Sequence, residues 1–213
     1  MKEKLRISVL ASDKGIDLQA VIDAIQKGEL IAKISVVISD KQDAYVLERA
    51  NNYNIPAVYV DPNKNKTRED LDKEIIKVIE DHNGTDLILL IGYMRILTSA
   101  FIQRYKNKIM NIHPSLLPTF AGGMGTKVHK DVIDSGMKVT GCTLHFVDEG
   151  IDTGPIILQK AVNVEITDDN LNDTVDSLEK KVNIAEQDII LEGIRLFAEN
   201  RLKVEGKKVR IIS

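Results

Sequence analysis

The strongest chemical suggestion in this 213-residue chain comes from two side chains, Asn111 and His113, in the run Asn111-Ile112-His113-Pro114-Ser115-Leu116-Leu117-Pro118. Residues 108–112 read as a strand, in which alternate side chains share a face. Asn111 and His113 therefore point the same way at its end, and Ile112 points into the core. The two prolines then force the chain off the sheet. An amide donor beside an imidazole suits acyl transfer: the amide meets a developing oxyanion and the histidine donates or shuttles a proton. The same pair can also be structural, closing a turn.

A second segment, Thr143 to Pro155, places Asp148, Glu149 and Asp152 in a tight loop after a strand. Such acids can orient an imidazole, bind a metal or simply make turns. His113, His129 and His145 are at hand for a metal, but no HxxxH or CxxC spacing supports one. A third segment, Ala11 to Gln19, joins a strand to a helix with Gly15 at the turn. Glycine lets the backbone approach a ligand, and the helix start offers free N–H groups and the positive end of a dipole. This fits a phosphate site and fits a plain turn equally well. With one glycine it is neither a dinucleotide fingerprint nor a P-loop. Cys142, the single cysteine, sits in what reads as a strand interior, and one cysteine cannot form an intrachain disulfide.

The elements that must position these residues alternate. Residues 7–11, 34–38, 57–60 and 87–91 read as strands, with helices over 18–26, 44–52 and 68–82. The βαβαβαβ pattern predicts an α/β, Rossmann-like, mainly parallel sheet with helices on both faces, binding ligands beyond the C-terminal ends of its strands. The second half is less regular. It reads as a short helix at 99–105, the strand at 108–112, a loop at 114–125, a helix at 126–134, strands at 139–147 and 155–164, a long helix at 170–199 and a hairpin within 202–212. The C-terminal part of the sheet is accordingly mixed. We expect one domain over 1–213, dividing at about 105 into a regular and a less regular half.

Composition is that of an ordinary soluble globular protein: 43% hydrophobic and 29% charged residues, with a formal charge of −3. Acids and bases are interspersed, which argues against a nucleic-acid or anionic-membrane partner. The N-terminus lacks the apolar core and cleavage site of a signal peptide, and the longest apolar run is too short to span a bilayer. A cytoplasmic location is expected.

Taken together, the segments 15–19, Gly92-Tyr93-Met94-Arg95-Ile96-Leu97, 111–118 and 139–159, with its Asp152-Thr153-Gly154-Pro155, resemble the folate-dependent formyltransferases of the phosphoribosylglycinamide formyltransferase (glycinamide ribonucleotide transformylase) type. The resemblance runs from about Lys4 to about Leu202 and implies the formyltransferase fold, with a nucleotide-binding half at about 1–105 and a folate and catalytic half at about 106–213. It implies that Asn111 hydrogen-bonds the formyl oxygen. His113 stabilises the tetrahedral intermediate and relays protons, and Asp152 pairs with His113. A carboxylate beside an imidazole raises its pKa and fixes its tautomer, so Asp152 is expected to raise that of His113. Tyr93, Met94, Arg95, Ile96 and Leu97, with Val147, Asp148 and Glu149, resemble the walls of the pterin pocket. Arg68 and Arg95 resemble residues near the folate glutamate tail. Gly15, Ile16 and Asp17 resemble the substrate phosphate loop, Glu186 a glutamate near the substrate amine, and Thr143 a hydroxyl residue close to a catalytic water. The implied reaction passes formyl from 10-formyltetrahydrofolate, as co-substrate and without a metal, to the amine of glycinamide ribonucleotide in purine biosynthesis. The working form would be a monomer or homodimer.

The chain also departs from the pattern. The family's Ser or Thr followed by Asn in the phosphate loop is here Ile16 and Asp17. Ile16 brings no hydroxyl, and Asp17 brings a carboxylate that either repels the phosphate or caps its own helix. The segment 121–127 is longer and richer in glycine than usual, and nothing is carried over to it. Methionyl-tRNA formyltransferase has an additional C-terminal domain, whereas only about ten residues follow the long helix here. Formyltetrahydrofolate deformylase normally carries an N-terminal regulatory domain, whereas the first strand here begins near Met1. A short hydrolase and a non-catalytic folate- or nucleotide-binding module are the alternatives.

Overall fold

Leu87–Ile91 is buried at every position, as a strand with both faces covered must be. It is the fourth strand, β4, of a computed structural model that describes residues 3–65, 67–166 and 173–213. The chain folds as two compact units: residues up to Asn111 with Phe146–Glu149, and Ile112–His145 with Gly150–Ser213.

In the first unit β1 (Leu5–Ala11), β2 (Ala32–Ser39), β3 (Ala57–Tyr59), β4 and β5 (Ile109–His113, which runs on into the second unit) pair in the order β3-β2-β1-β4-β5, all parallel. The register sets Ala11 beside both Ser39 and Ile91. Ser12, Asp40 and Gly92 therefore all leave the sheet at one edge. The helices are α1 (Ile16–Gln26), α2 (Tyr45–Asn52), α3 (Arg68–Asp81) and α4 (Ser99–Arg104). Thr67 and Thr98 cap α3 and α4 by accepting the N–H of Asp70 and Phe101. Leu10, Ile38, Ile75, Ile88, Phe101 and Ile109 lie in one core cluster, against which Tyr93 and Val147 pack.

In the second unit β6 (Val139–Phe146) runs antiparallel to β7 (Ile156–Asn163). β7 meets β9 (Lys208–Ile211) in parallel, and β9 closes a hairpin with β8 (Leu202–Glu205). α5 (Thr126–Asp134) and the 24-residue α6 (Val175–Ala198) supply its helices. α6 opens with a reciprocal Thr174–Ser177 capping box. It buries Leu178, Val182, Ala185, Ile190 and Ile194. A Cβ on Gly193 would come within 2.1 Å of Leu144 Cδ2, so the absence of a side chain there sets how closely the helix approaches β6.

The fold is the expected one: parallel strands first, then a mixed C-terminal part. The start expected for the long helix, residues 170–172, lies outside the described residues. No helix among the described residues is long and apolar enough to cross a membrane.

Candidate active site

His113 ends β5 and is 3% exposed. Its Nδ1 lies 3.3 Å from Asp152 Oδ2, and its Nε2 lies 3.2 Å from the carbonyl oxygen of Phe120. Both neighbours only accept hydrogen bonds. A neutral imidazole carries one N–H and satisfies one of them at a time; the imidazolium satisfies both. Burial nevertheless pushes the His113 pKa down, and this outweighs the upward pull of Asp152. The expectation from the sequence is thus corrected in its net sign. The carboxylate does raise the imidazole, but desolvation wins.

Asp152 is held on both oxygens. Oδ2 also accepts the backbone N–H of Gly122 at 2.9 Å, and Oδ1 lies 3.6 Å from His145 Nε2. Burial pushes this carboxyl up, but His145, the Gly122 N–H and the charge of His113 together hold it below the usual carboxylate range. It is therefore ionised at neutral pH. Its backbone is left-handed, with φ 52°, a conformation that Asp and Asn tolerate better than other side chains.

The glycine-rich segment, to which the family resemblance assigns no role, supplies that N–H. Gly122 has φ 77°. At Gly123 a Cβ would stand 2.8 Å from Val128 Cγ2 and 2.9 Å from the Phe120 oxygen. A chain with side chains at these positions could not turn here to face Asp152. In the sequence His145 stands out only as a possible metal ligand, and its contact with Asp152 joins residues seven apart through a turn that pattern alone does not define. His129 lies on α5 with its Nδ1 buried and without a hydrogen-bond partner.

Thr143 is fully buried in β6. Its hydroxyl donates to the Ser115 carbonyl at 2.7 Å and accepts from the Leu117 N–H and from Gln159 Nε2, each at 3.0 Å. One donor and two acceptor sites are the whole capacity of a hydroxyl, so Thr143 is spent on clamping the loop after His113. Gln159, its cross-strand neighbour, also donates to the Leu117 carbonyl at 3.1 Å. The Leu117–Pro118 peptide within this loop is cis. Thr143→Val leaves several of these buried groups unpaired, and we expect a loss of about 2–4 kcal/mol. Thr143→Ser should recover most of it. Urea unfolding of both variants checks this, and a valine variant as stable as the parent would show that the clamp contributes nothing.

In the first unit, Gly15 is the N-cap of α1, with φ 61° and ψ 47°. A Cβ there would lie 2.4 Å from Val46 Cγ2, so position 15 needs glycine for its conformation and for space. Asp17, in the first turn of α1, is 7% exposed and one of its oxygens is buried with no hydrogen-bond partner. Burial raises its pKa to about 7. Ile16 is at the surface. Glu186 is buried on α6 in the second unit.

The segment 92–97 leaves β4 through Gly92, with φ 60°. Its backbone is tied to Ser12, whose N–H donates to the Gly92 carbonyl at 3.2 Å and whose hydroxyl accepts the Met94 N–H at 3.0 Å. Met94 and Ile96 are exposed and Leu97 is in the core. The Tyr93 hydroxyl is buried and unpartnered, and burial with nearby Asp40 and Asp72 pushes its pKa up. Val147 is hydrogen-bonded to the Ile109 carbonyl at 2.9 Å, and Glu149 accepts from Gln103 at 2.9 Å. Asp148 lies between them. Arg68 begins α3 and is exposed. Asn111 pairs with Leu90 in the sheet register, two residues before His113 on the same strand.

The chain is 40% identical over 201 residues to the phosphoribosylglycinamide formyltransferase of Haemophilus influenzae, covering 94% of this chain and 90% of that protein. It is 39% identical over 209 residues to the trifunctional purine biosynthetic protein adenosine-3 of Bos taurus, covering 98% of this chain but spanning only 20% of that protein. The crystal structure of glycinamide ribonucleotide transformylase 1 from Symbiobacterium toebii superposes with a TM-score of 0.91 at 41% identity, over 100% of this chain and 96% of that one. The formyl transferase family model matches residues 5–194, and the chain belongs to that family.

Proposed function

We propose that the chain transfers the formyl group of 10-formyltetrahydrofolate to the amine of glycinamide ribonucleotide. The observation that carries this is the buried His113–Asp152 contact at the end of β5, in a chain so similar to a phosphoribosylglycinamide formyltransferase over nearly its whole length. The amine attacks the formyl carbon, and the Asn111 amide donates a hydrogen bond to the oxygen as it gains charge. His113, whose lowered pKa leaves it largely neutral near pH 7, takes up the proton released by the amine and passes it on. The bond from carbon to N10 breaks, and N10 leaves protonated. Asp152 steadies the imidazole while it carries charge. Thr143 acts as the clamp on the 115–117 loop. The segments 93–97 and 147–149 and Arg68 hold the folate; Gly15, Ile16, Asp17 and Glu186 meet the ribonucleotide. Formyl release measured with and without glycinamide ribonucleotide tests the proposal. Release that ignores the ribonucleotide would make the chain a hydrolase instead.

Asp17 gives a further expectation. The folded chain keeps a proton on Asp17 up to about pH 7, whereas the unfolded chain gives it up near 4. Its stabilising contribution is therefore full below about pH 4 and is lost as pH rises to about 7. Asp17→Asn should match the parent in acid, gain over that window and hold its full advantage above it, on the order of 4 kcal/mol at most. Nothing on α1 caps or pairs the buried oxygen, so the charge repels a bound phosphate once it ionises. The same variant should bind ribonucleotide at least about fivefold more tightly at alkaline pH, with folate affinity unchanged. Calorimetry on both sides of pH 7 checks this; equal or weaker ribonucleotide binding at alkaline pH would refute the repulsion.

A further inference from the structure

Asp40 is a buried carboxylate that the proposed reaction does not use. It follows β2, and its side chain is 5% exposed against 42% for that of its partner Arg95. One oxygen accepts the Ser12 hydroxyl at 2.6 Å, and the other accepts Arg95 Nε at 2.7 Å. The same Ser12 hydroxyl accepts the Met94 N–H. Three chain segments leaving neighbouring strands are thus joined through one carboxylate: Ser12 after β1, Asp40 after β2 and the 92–97 segment after β4. Only Nε of the Arg95 guanidinium is engaged; its two terminal nitrogens make no hydrogen bond among the described residues. An arginine gripped at Nε keeps its Nη1–Nη2 edge in a fixed direction, and with Nε engaged that edge is the one left to receive a carboxylate in a two-pronged contact.

We propose that Asp40 is a positioning residue for folate recognition: it aims the Nη1–Nη2 edge of Arg95 at the glutamate carboxylates of the folate tail. This rests on the reading of Arg95 as a tail contact given above. Without the grip, the long arginine side chain samples many rotamers and has to be ordered when the tail binds. The loss therefore falls on binding of the tail and spares the chemical step.

The test compares 10-formyltetrahydrofolate with 10-formyltetrahydropteroate, the same molecule without its glutamate, in the parent and in Asp40→Asn, Arg95→Ala and the double variant. Asp40→Asn should raise KM for the full folate about tenfold, the effect of losing one charge-assisted contact. It should leave kcat, and KM for the pteroate, within about twofold. In the double variant the asparagine should add nothing to the tail-dependent effect of Arg95→Ala. An equal rise in KM for both molecules would mean that Asp40 shapes the whole 92–97 segment, and would overturn the proposal, as would no rise at all. If Arg95→Ala itself is indifferent to the glutamate, the tail reading of Arg95 fails and the proposal fails with it. Should Asp40→Asn not fold, Asp40→Glu, which keeps the charge but displaces the guanidinium, is judged by the same comparison.

Discussion

Replacing His113 with alanine abolishes formyl transfer, by about three orders of magnitude or more, and leaves folate binding in place. The imidazole meets both the Asp152 carboxylate and the Phe120 carbonyl, and alanine has nothing with which to move a proton. Folate binding should survive because the 92–97 segment, proposed to hold the folate, has its backbone anchored elsewhere, on Ser12. Asp152 keeps its contacts with Gly122 and His145, so it is not stranded when the imidazole goes. The variant should therefore fold with a loss of about 1–3 kcal/mol, the range for removing one partner of a buried polar contact. Turnover and calorimetric folate affinity on the same preparation separate the two effects. Turnover near that of the parent would remove His113 from the chemistry, and loss of folate binding together with turnover would move its role from proton transfer to binding.

Much of this is legible along the chain. β4 and α5 match their expected bounds to the residue, because an uninterrupted apolar run and a 3.6-residue apolar period leave few alternatives. Asn111 and His113 are legible as a pair because the period of a strand puts residues two apart on one face. The differences have particular causes. The first strand begins at Leu5, not at residue 7, because Arg6 forms a bidentate pair with Asp86, a partner eighty residues away. α1 begins at Ile16, ahead of its first buried apolar residue, Leu18, because Gly15 in the left-handed conformation starts the helix. The contacts of Asp152 with Gly122, of Thr143 with Leu117 and Gln159, and of Asp40 with Ser12 and Arg95 all cross between elements distant in sequence. A period or propensity describes one element and is silent on which polar groups two elements bring together. The sign of the His113 shift escapes the sequence for a related reason. The opposing charge is named there, but the depth of burial that outweighs it arises from packing.

Asp152→Asn should lower turnover by about three to four orders of magnitude while the chain stays folded. The substitution suits the backbone: φ at this position is 52°, and asparagine enters the left-handed region as readily as aspartate. The amide oxygen can still accept the Gly122 N–H, so the glycine-rich turn keeps its anchor. What goes is the charge. In the parent, burial already pushes the His113 pKa below its ordinary value, and the Asp152 carboxylate is the largest influence resisting it. With that carboxylate neutral, burial acts nearly unopposed, the imidazolium needed during proton transfer becomes harder to form, and the His113 pKa falls further. Whether His113 enters the slow step as base or as acid, the limb of the pH–rate profile that belongs to it moves to lower pH. Asp152→Ala, by contrast, loses the Gly122 contact and a side chain suited to positive φ, and should also lose stability. Comparing kcat across pH for parent and asparagine variant, with urea unfolding of both variants alongside, separates charge from structure. A limb that stays where it is in the asparagine variant would mean that Asp152 does not set the protonation of His113; equal stability losses in the two variants would mean that its part is structural.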